Sequence, residues 1–279
     1  MVLFRHRMRL GAKQRKSAFI FMDAALYDEL HRVEQTHWWF RARRRIVWSL
    51  VQRYVEGGSN RRLRVCELGC GTGGNLTAIA EDHDVVGVEC SPHALDYARQ
   101  SLGSRVRLGS LPHKIDLPPN SFDVVLITDV LEHIENDAAS AITALELARP
   151  GGIVVATVPA YQWLYSPRDV HHHHFRRYGK QQFGQLWTTI DARVELLSHY
   201  NTALFPAAAT VRLASKLFQR QSEPGDISIP PRAINKQLTR LMQCEANLLG
   251  RIPMPFGLSL VAVIRKDQPA ITATSKLAA

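Results

Sequence analysis

Four groups of residues in this sequence have the types and spacing to do chemistry. The first is Glu67-Leu68-Gly69-Cys70-Gly71-Thr72-Gly73-Gly74-Asn75, an acid followed by a glycine-rich turn. Glycines let backbone approach a ligand that no side chain could stand beside, and a helix opening after such a turn points its N–H groups at a nucleotide-like cofactor. The second is Glu89, an acid at the end of an apolar run about twenty residues beyond that turn, where a carboxylate can accept both hydroxyls of a ribose. The third is Thr128-Asp129-Val130-Leu131-Glu132-His133-Ile134, in which His133, with a reference pKa near neutrality, can orient a substrate or accept a proton. The fourth lies between 159 and 180, where Tyr161, Trp163, Tyr165, Asp169, Arg176, Arg177 and Tyr178 surround four consecutive histidines, His171, His172, His173 and His174. That set suits an aromatic or anionic acceptor. It also invites a metal reading, but consecutive histidines do not converge as a rigid triad, so no metal is expected.

The elements that must hold these groups follow from the apolar pattern. Strands are expected at 64–68, 85–89, 106–111, 124–127, 153–158, 194–200 and 257–264, and helices at 23–37, from 46 onward, after Ser91-Pro92, and at 136–148, 180–189 and 234–249. Strands alternating with helices predict an α/β fold, a Rossmann-like open sheet of about seven strands flanked by helices. An N-terminal helical cover (21–60) precedes the core (61–200 and 257–267), and a late helical insertion or lid (201–256) interrupts it. Residues 1–20 read as a basic flexible arm and 268–279 as a flexible tail.

Residues 67–73 resemble the first motif of the class I S-adenosylmethionine-dependent methyltransferases. Gly69, Gly71 and Gly74 also fit the dinucleotide spacing, but Glu67 would sit uncomfortably close to a pyrophosphate. The segment from Asp129 to Ile134 resembles the stretch after the fourth strand in that family, and Pro150-Gly151-Gly152 before an apolar strand is a further likeness. Together these motifs span most of 63–160. The resemblance implies S-adenosyl-L-methionine as cofactor, S-adenosyl-L-homocysteine as product, and cofactor contacts from Glu67, Gly69, Cys70, Gly71, Gly73, Asn75, Glu89, Cys90, Ser110, Leu111, Asp129, Val130 and Leu131. The acid that the family often carries after the third strand is replaced here by Ser110, which shifts adenine recognition toward backbone groups. His37-Trp38-Trp39-Phe40-Arg41-Ala42-Arg43-Arg44 and His174-Phe175-Arg176-Arg177-Tyr178 resemble elements of an uncharacterised branch of the family, and Trp39 is expected to cover the cofactor. Methyl transfer to an oxygen, nitrogen or carbon nucleophile needs a base only where the acceptor must lose a proton. His133, Tyr161, Tyr165, His173, His174 and Tyr178 are the candidates.

The formal charge of +10 is confined to the start of the chain, with fifteen Lys/Arg against five Asp/Glu in residues 1–64 and twenty of each thereafter. A small-molecule acceptor is expected. Lipid-linked or anionic glycan, nucleic acid, and a non-catalytic cofactor-binding regulator are the alternatives, with nucleic acid disfavoured because no interleaving of aromatic and basic residues continues along the chain. The helical insertion leaves peripheral membrane contact and a homodimer open. The four cysteines form no C-x-x-C pair, and there is no signal-peptide pattern or uninterrupted apolar span, so a cytoplasmic protein is expected.

Overall fold

The computed structural model describes residues 23–58, 61–188, 192–217 and 228–268. The expected arm (1–20), and the tail apart from Gln268, lie outside the described residues.

A seven-stranded sheet forms the centre: β1 (Arg64–Leu68), β2 (Asp84–Glu89), β3 (Val106–Leu108), β4 (Phe122–Thr128), β5 (Ala148–Pro159), β6 (Ala192–Tyr200) and β7 (Ser259–Lys266). Their order is β3-β2-β1-β4-β5-β7-β6, with β7 antiparallel to both of its neighbours and the other pairs parallel. Alternate residues face opposite layers: Val65, Val124, Leu126, Ile153 and Val155 join one buried cluster, and Cys66, Leu68, Val125, Ile127, Val154 and Ala156 the other. Burial on both faces is why the central strands are continuous apolar runs. The connections reverse direction between β1 and β4, where an open parallel sheet places its ligands at the carboxyl ends of the strands.

The helices are α1 (Ala24–Val33), α2 (Trp38–Tyr54), α3 (Gly74–Thr77), α4 (Pro92–Leu102), α5 (Asp137–Leu147), α6 (Pro167–His171), α7 (Lys180–Gln185), α8 (Phe205–Leu217) and α9 (Arg232–Leu248). Several ends differ from the sequence expectation. The first helix stops at Val33, and the second starts at Trp38, capped by the His37 ring accepting from Trp39 N at 3.2 Å. The helix after the glycine turn is only four residues long. The third strand is shorter than expected, because Ser110 and Lys114 exchange backbone hydrogen bonds in a separate loop. The fifth is longer: Pro150-Gly151-Gly152 does not precede it but lies inside it, as a register shift opposite Phe122 to Val124.

The insertion divides in two. α9 packs its Met242 and Ala246 into the same cluster as Ile46, Leu50 and Val51 of α2. Asn235 accepts from Trp38 N at 2.8 Å and donates to Thr36 O at 2.9 Å, while the Glu245 carboxylate accepts from Asn201 N and Ala203 N at 2.6 and 3.0 Å. This half is a strap over the N-terminal cover. The other half, α8, reaches the carboxyl edge of the sheet, where Ala208 and Arg212 line a cavity together with Asn201 and Ser228 of the flanking segments.

Candidate active site

The cavity has a volume of about 910 Å³ and lies at the carboxyl ends of β1, β2 and β4. One side is the glycine turn. Gly69 has φ +71, and a Cβ there would stand 2.6 Å from Val130 Cγ2, so only glycine lets the turns after β1 and β4 touch. Glu89 ends β2 at 4% exposure. It accepts from Gly71 N on one oxygen and from Cys90 N and Ser91 N on the other, all at 2.9 Å, and the Tyr27 hydroxyl from α1 donates to it at 3.4 Å. Burial beside this carboxylate pushes the Tyr27 phenol well above its ordinary value.

Glu67 is 1% exposed. Its Oε1 accepts from Asn75 Nδ2 at 2.6 Å and Thr128 Oγ1 at 3.2 Å, while Oε2 is buried in the cavity wall with no partner among the described residues. Burial pushes its pKa up to about 7, against the opposing pull of Asn75 and Arg43.

Asp129 follows β4 with φ +55, its backbone N–H held by Thr157 O. Its carboxylate accepts from Thr157 Oγ1 at 3.0 Å and pairs with Arg43 Nη1 of α2. Beyond it, Leu131 is fully buried in the core, whereas Glu132 and His133 line the cavity. The carboxyl of Glu132, 1% exposed, is raised well above its ordinary value by burial and by Asp129. Burial and the neighbouring His174, His172 and His173 depress His133 to about 3, so its imidazole is neutral.

After β5, α6 opens with a capping box in which Asp169 Oδ2 accepts from Ser166 N and Oγ at 2.9 and 2.8 Å. Asp169 Oδ1 accepts from Arg177 Nε at 2.8 Å and lies 3.0 Å from His174 Nδ1. Phe175 N donates to Glu132 O, which docks this loop on the turn after β4 and brings the His133 and His174 rings within 4.6 Å. Arg168 and Arg212 line the same end, and neither is within ion-pair distance of a described carboxylate. Burial, then Arg177, lowers the Arg212 pKa.

Of the cofactor candidates, Trp39, Glu67, Gly69, Cys70, Gly71, Asn75, Glu89, Cys90, Ser110, Leu111, Asp129 and Val130 line the cavity. Gly73 and Leu131 do not: Gly73 caps α3 against Ala98 and Leu102, and Leu131 packs into the core. Trp39 also stacks on Tyr200, with ring centroids 6.1 Å apart and planes at 10°. Of the six proton-handling candidates, only His133 and His174 reach the wall. Tyr178 is fully buried and donates to Asp137 Oδ2 at 2.8 Å; Tyr165 donates to His174 O at 2.6 Å. Tyr161 stacks on His199 and packs on Phe205, and His173 turns toward Asp23. These four adjoin the site in sequence, but their side chains do not line the cavity. Among the wall residues that the motifs did not single out are Tyr27, Arg43, Arg168 and Arg212. Arg43 carried a readable signal, since it lies three, four and seven residues before Ile46, Val47 and Leu50 and so on the buried stripe of α2. Arg41 and Arg45 of the same run are exposed.

Comparison with known proteins agrees with this geometry. Residues 66–156 match the methyltransferase domain family. An uncharacterised methyltransferase of Schizosaccharomyces pombe is 30% identical over 106 residues, which are 33% of this chain and 38% of that protein. One of Mycobacterium bovis is 38% identical over 91 residues, 32% of this chain and 37% of that protein. The chain thus spans under two fifths of the length of these curated relatives. The putative methyltransferase solved in complex with the Trm112 activator from Haloferax volcanii superposes with a TM-score of 0.54 at 15% identity, covering 88% of this chain and 95% of that one, a likeness of fold. The fold is therefore the Rossmann-like one expected from the sequence. Over residues 66–156 the chain is similar to methyltransferase domains, and its likeness to the solved structure is one of fold.

Proposed function

We propose that this protein transfers the methyl group of S-adenosylmethionine to a small-molecule nucleophile bound among the turn after β4, the loop after β5, and α8. The observation that carries this reading is the pair of buried carboxylates flanking the glycine turn in one cavity, Glu67 and Glu89. The unpartnered Glu67 Oε2 suits the ammonium at the methionine end of the cofactor. Glu89 suits the ribose, whose hydroxyls can take the place of the Tyr27 hydroxyl at the carboxylate. Val88, Leu111 and Ile115 offer an apolar slot for the adenine, beside the backbone of Ser110. When bound, the cofactor supplies a methyl carbon on a positively charged sulfur, a good leaving group.

The chain's own contribution is alignment and exclusion of water. Arg43 and Thr157 fix Asp129, and the Phe175 N–H to Glu132 O bond fixes the acceptor loop against the donor turn. Trp38, Trp39 and Phe40 wall the cavity on the side of the N-terminal cover. Arg168 and Arg212 favour an acceptor that carries a carboxylate, phosphate or phenolate group. Calorimetry tests the donor: S-adenosylmethionine and its demethylated product should bind stoichiometrically while NAD does not. Transfer of labelled methyl into anionic small molecules, in preference to their neutral analogues, tests the acceptor. Binding of NAD in preference to S-adenosylmethionine would overturn the reading.

A further inference from the structure

Glu132, His133 and His174 come from two loops, yet one ligand atom from each lies within 4.8 Å of the others. All three line the cavity. Glu132 Oε2 is buried with no partner among the described residues, and a carboxylate oxygen removed from water without a donor is costly unless a cation satisfies it. His174 is prepared for ligation by its surroundings. Its Nδ1 faces Asp169 Oδ1, and Asp169 also accepts from Arg177 Nε, Ser166 N and Ser166 Oγ. An acceptor so fully occupied takes the His174 Nδ1 proton in a hydrogen bond and leaves the Nε2 lone pair free. A histidine held through its far nitrogen by a carboxylate is the usual arrangement around a bound metal. Asp169 itself has no oxygen left for an ion, so it is a positioning residue.

The geometry points to a divalent transition-metal site formed by Glu132, His133 and His174 on the acceptor side of the cavity. Two imidazoles and one carboxylate favour an ion of the zinc or ferrous type over magnesium or calcium, which prefer all-oxygen sets. Three protein ligands leave a coordination position for water or for an oxygen of a hydroxyl-, enol- or carboxylate-bearing molecule. Such a molecule matches the positive charge of Arg168 and Arg212 at the same end of the cavity. The site does not depend on the methyl-transfer reading, because it concerns metal binding to the chain alone.

The test uses full-length protein freed of any purification tag and stripped with a chelator. Zinc titration by calorimetry should give one equivalent per chain, and cobalt substitution should give visible d–d bands. Glu132→Gln and His174→Asn should each weaken zinc binding at least a hundredfold and remove the bands, while the control His171→Ala leaves both unchanged. Retained binding in the first two variants, or its loss in the control, would assign the ion to the consecutive histidines and overturn the proposal; so would the absence of stoichiometric binding in the wild type. Should either variant melt early by circular dichroism, zinc-edge anomalous scattering from wild-type crystals decides. The peak is expected between Glu132, His133 and His174, and a peak elsewhere or none refutes the site.

Discussion

The protonation of Glu67 gives the sharpest test of the cofactor reading. Burial holds its pKa at about 7, so at neutral pH the carboxyl of the free protein is about half protonated. Pairing with the ammonium of S-adenosylmethionine requires the ionised form, so binding must expel the remaining proton. Affinity should then be nearly constant above pH 8 and fall about tenfold between pH 8 and pH 6, with about half a proton released per cofactor at pH 7. Calorimetry in buffers of different ionisation enthalpy reads both quantities. Glu67→Gln should bind more weakly at pH 8 and lose the pH dependence. Stability should move the opposite way. A carboxyl raised in the folded state contributes stability present in full below its unfolded value and lost as pH rises through about 7. Without cofactor, Glu67→Gln should therefore be more stable than wild type at pH 8, by no more than about 3 kcal/mol, the rise from 4.5 to about 7 expressed as energy. A flat affinity profile in the wild type, or the same slope in the variant, would refute the assignment of the ammonium to Glu67.

Other outcomes follow from the partners seen around the site. Glu89→Ala should weaken binding of the demethylated cofactor at least about tenfold, through lost hydrogen bonds to ribose and the freed Gly71, Cys90 and Ser91 N–H groups. Tyr27→Phe, which removes only a donor that ribose would replace, should stay close to wild type in the same calorimetric titration. Arg43→Ala leaves Asp129 without its cation and should lower stability in urea by about 3 kcal/mol, with Arg43→Lys recovering part of the loss. Tyr178→Phe should cost about 1 kcal/mol in urea through the lost bond to Asp137 while leaving cofactor affinity unchanged, because the ring lies outside the cavity.

Legibility in the sequence follows how local each feature is. The donor side is local: a glycine turn and an acid at the end of the next strand follow from strand period and turn chemistry, which place Gly69, Gly71 and Glu89, while the part given to Glu67 is what the resemblance to the methyltransferases implies. The fifth strand starts earlier than its sequence suggests, because Gly151 and Gly152 look like a stop, whereas Ala148 already pairs with Phe122 of β4 and the strand runs through the glycines as an irregularity in that pairing. Tyr178 stands beside the histidines in sequence, and nothing nearby announces Asp137, forty-one residues earlier, as its partner. Arg43 meets Asp129 across eighty-six residues, and only the α2 stripe distinguishes it from its neighbours. The insertion read as one lid because its apolar residues show a helical period but not which surface they cover. Met242 and Ala246 pack on α2, while Ala208 and Arg212 of α8 line the cavity.

The carboxylates around the cavity divide by how the protein satisfies them, and both proposals rest on that division. Asp129 is held by Arg43 and Thr157, Asp169 by Ser166, Arg177 and His174, and Glu89 by backbone N–H groups and Tyr27. Glu67 and Glu132 each keep one buried oxygen without a partner among the described residues. Both have raised pKa values, because burial penalises the charge by more than the nearby arginines and hydrogen-bond donors offset. Relief for either comes from a cation or from a proton. Beside the glycine turn the fitting cation is an ammonium, set against apolar and backbone contacts for a nucleoside. Beside two imidazoles it is a metal ion, with arginines next to it to draw in an anionic acceptor. On the proposed reading the two orphaned oxygens mark the donor and acceptor ends of one cavity, and the two proposals separate experimentally: cofactor affinity should answer to Glu67 and zinc affinity to Glu132, each largely indifferent to substitution of the other.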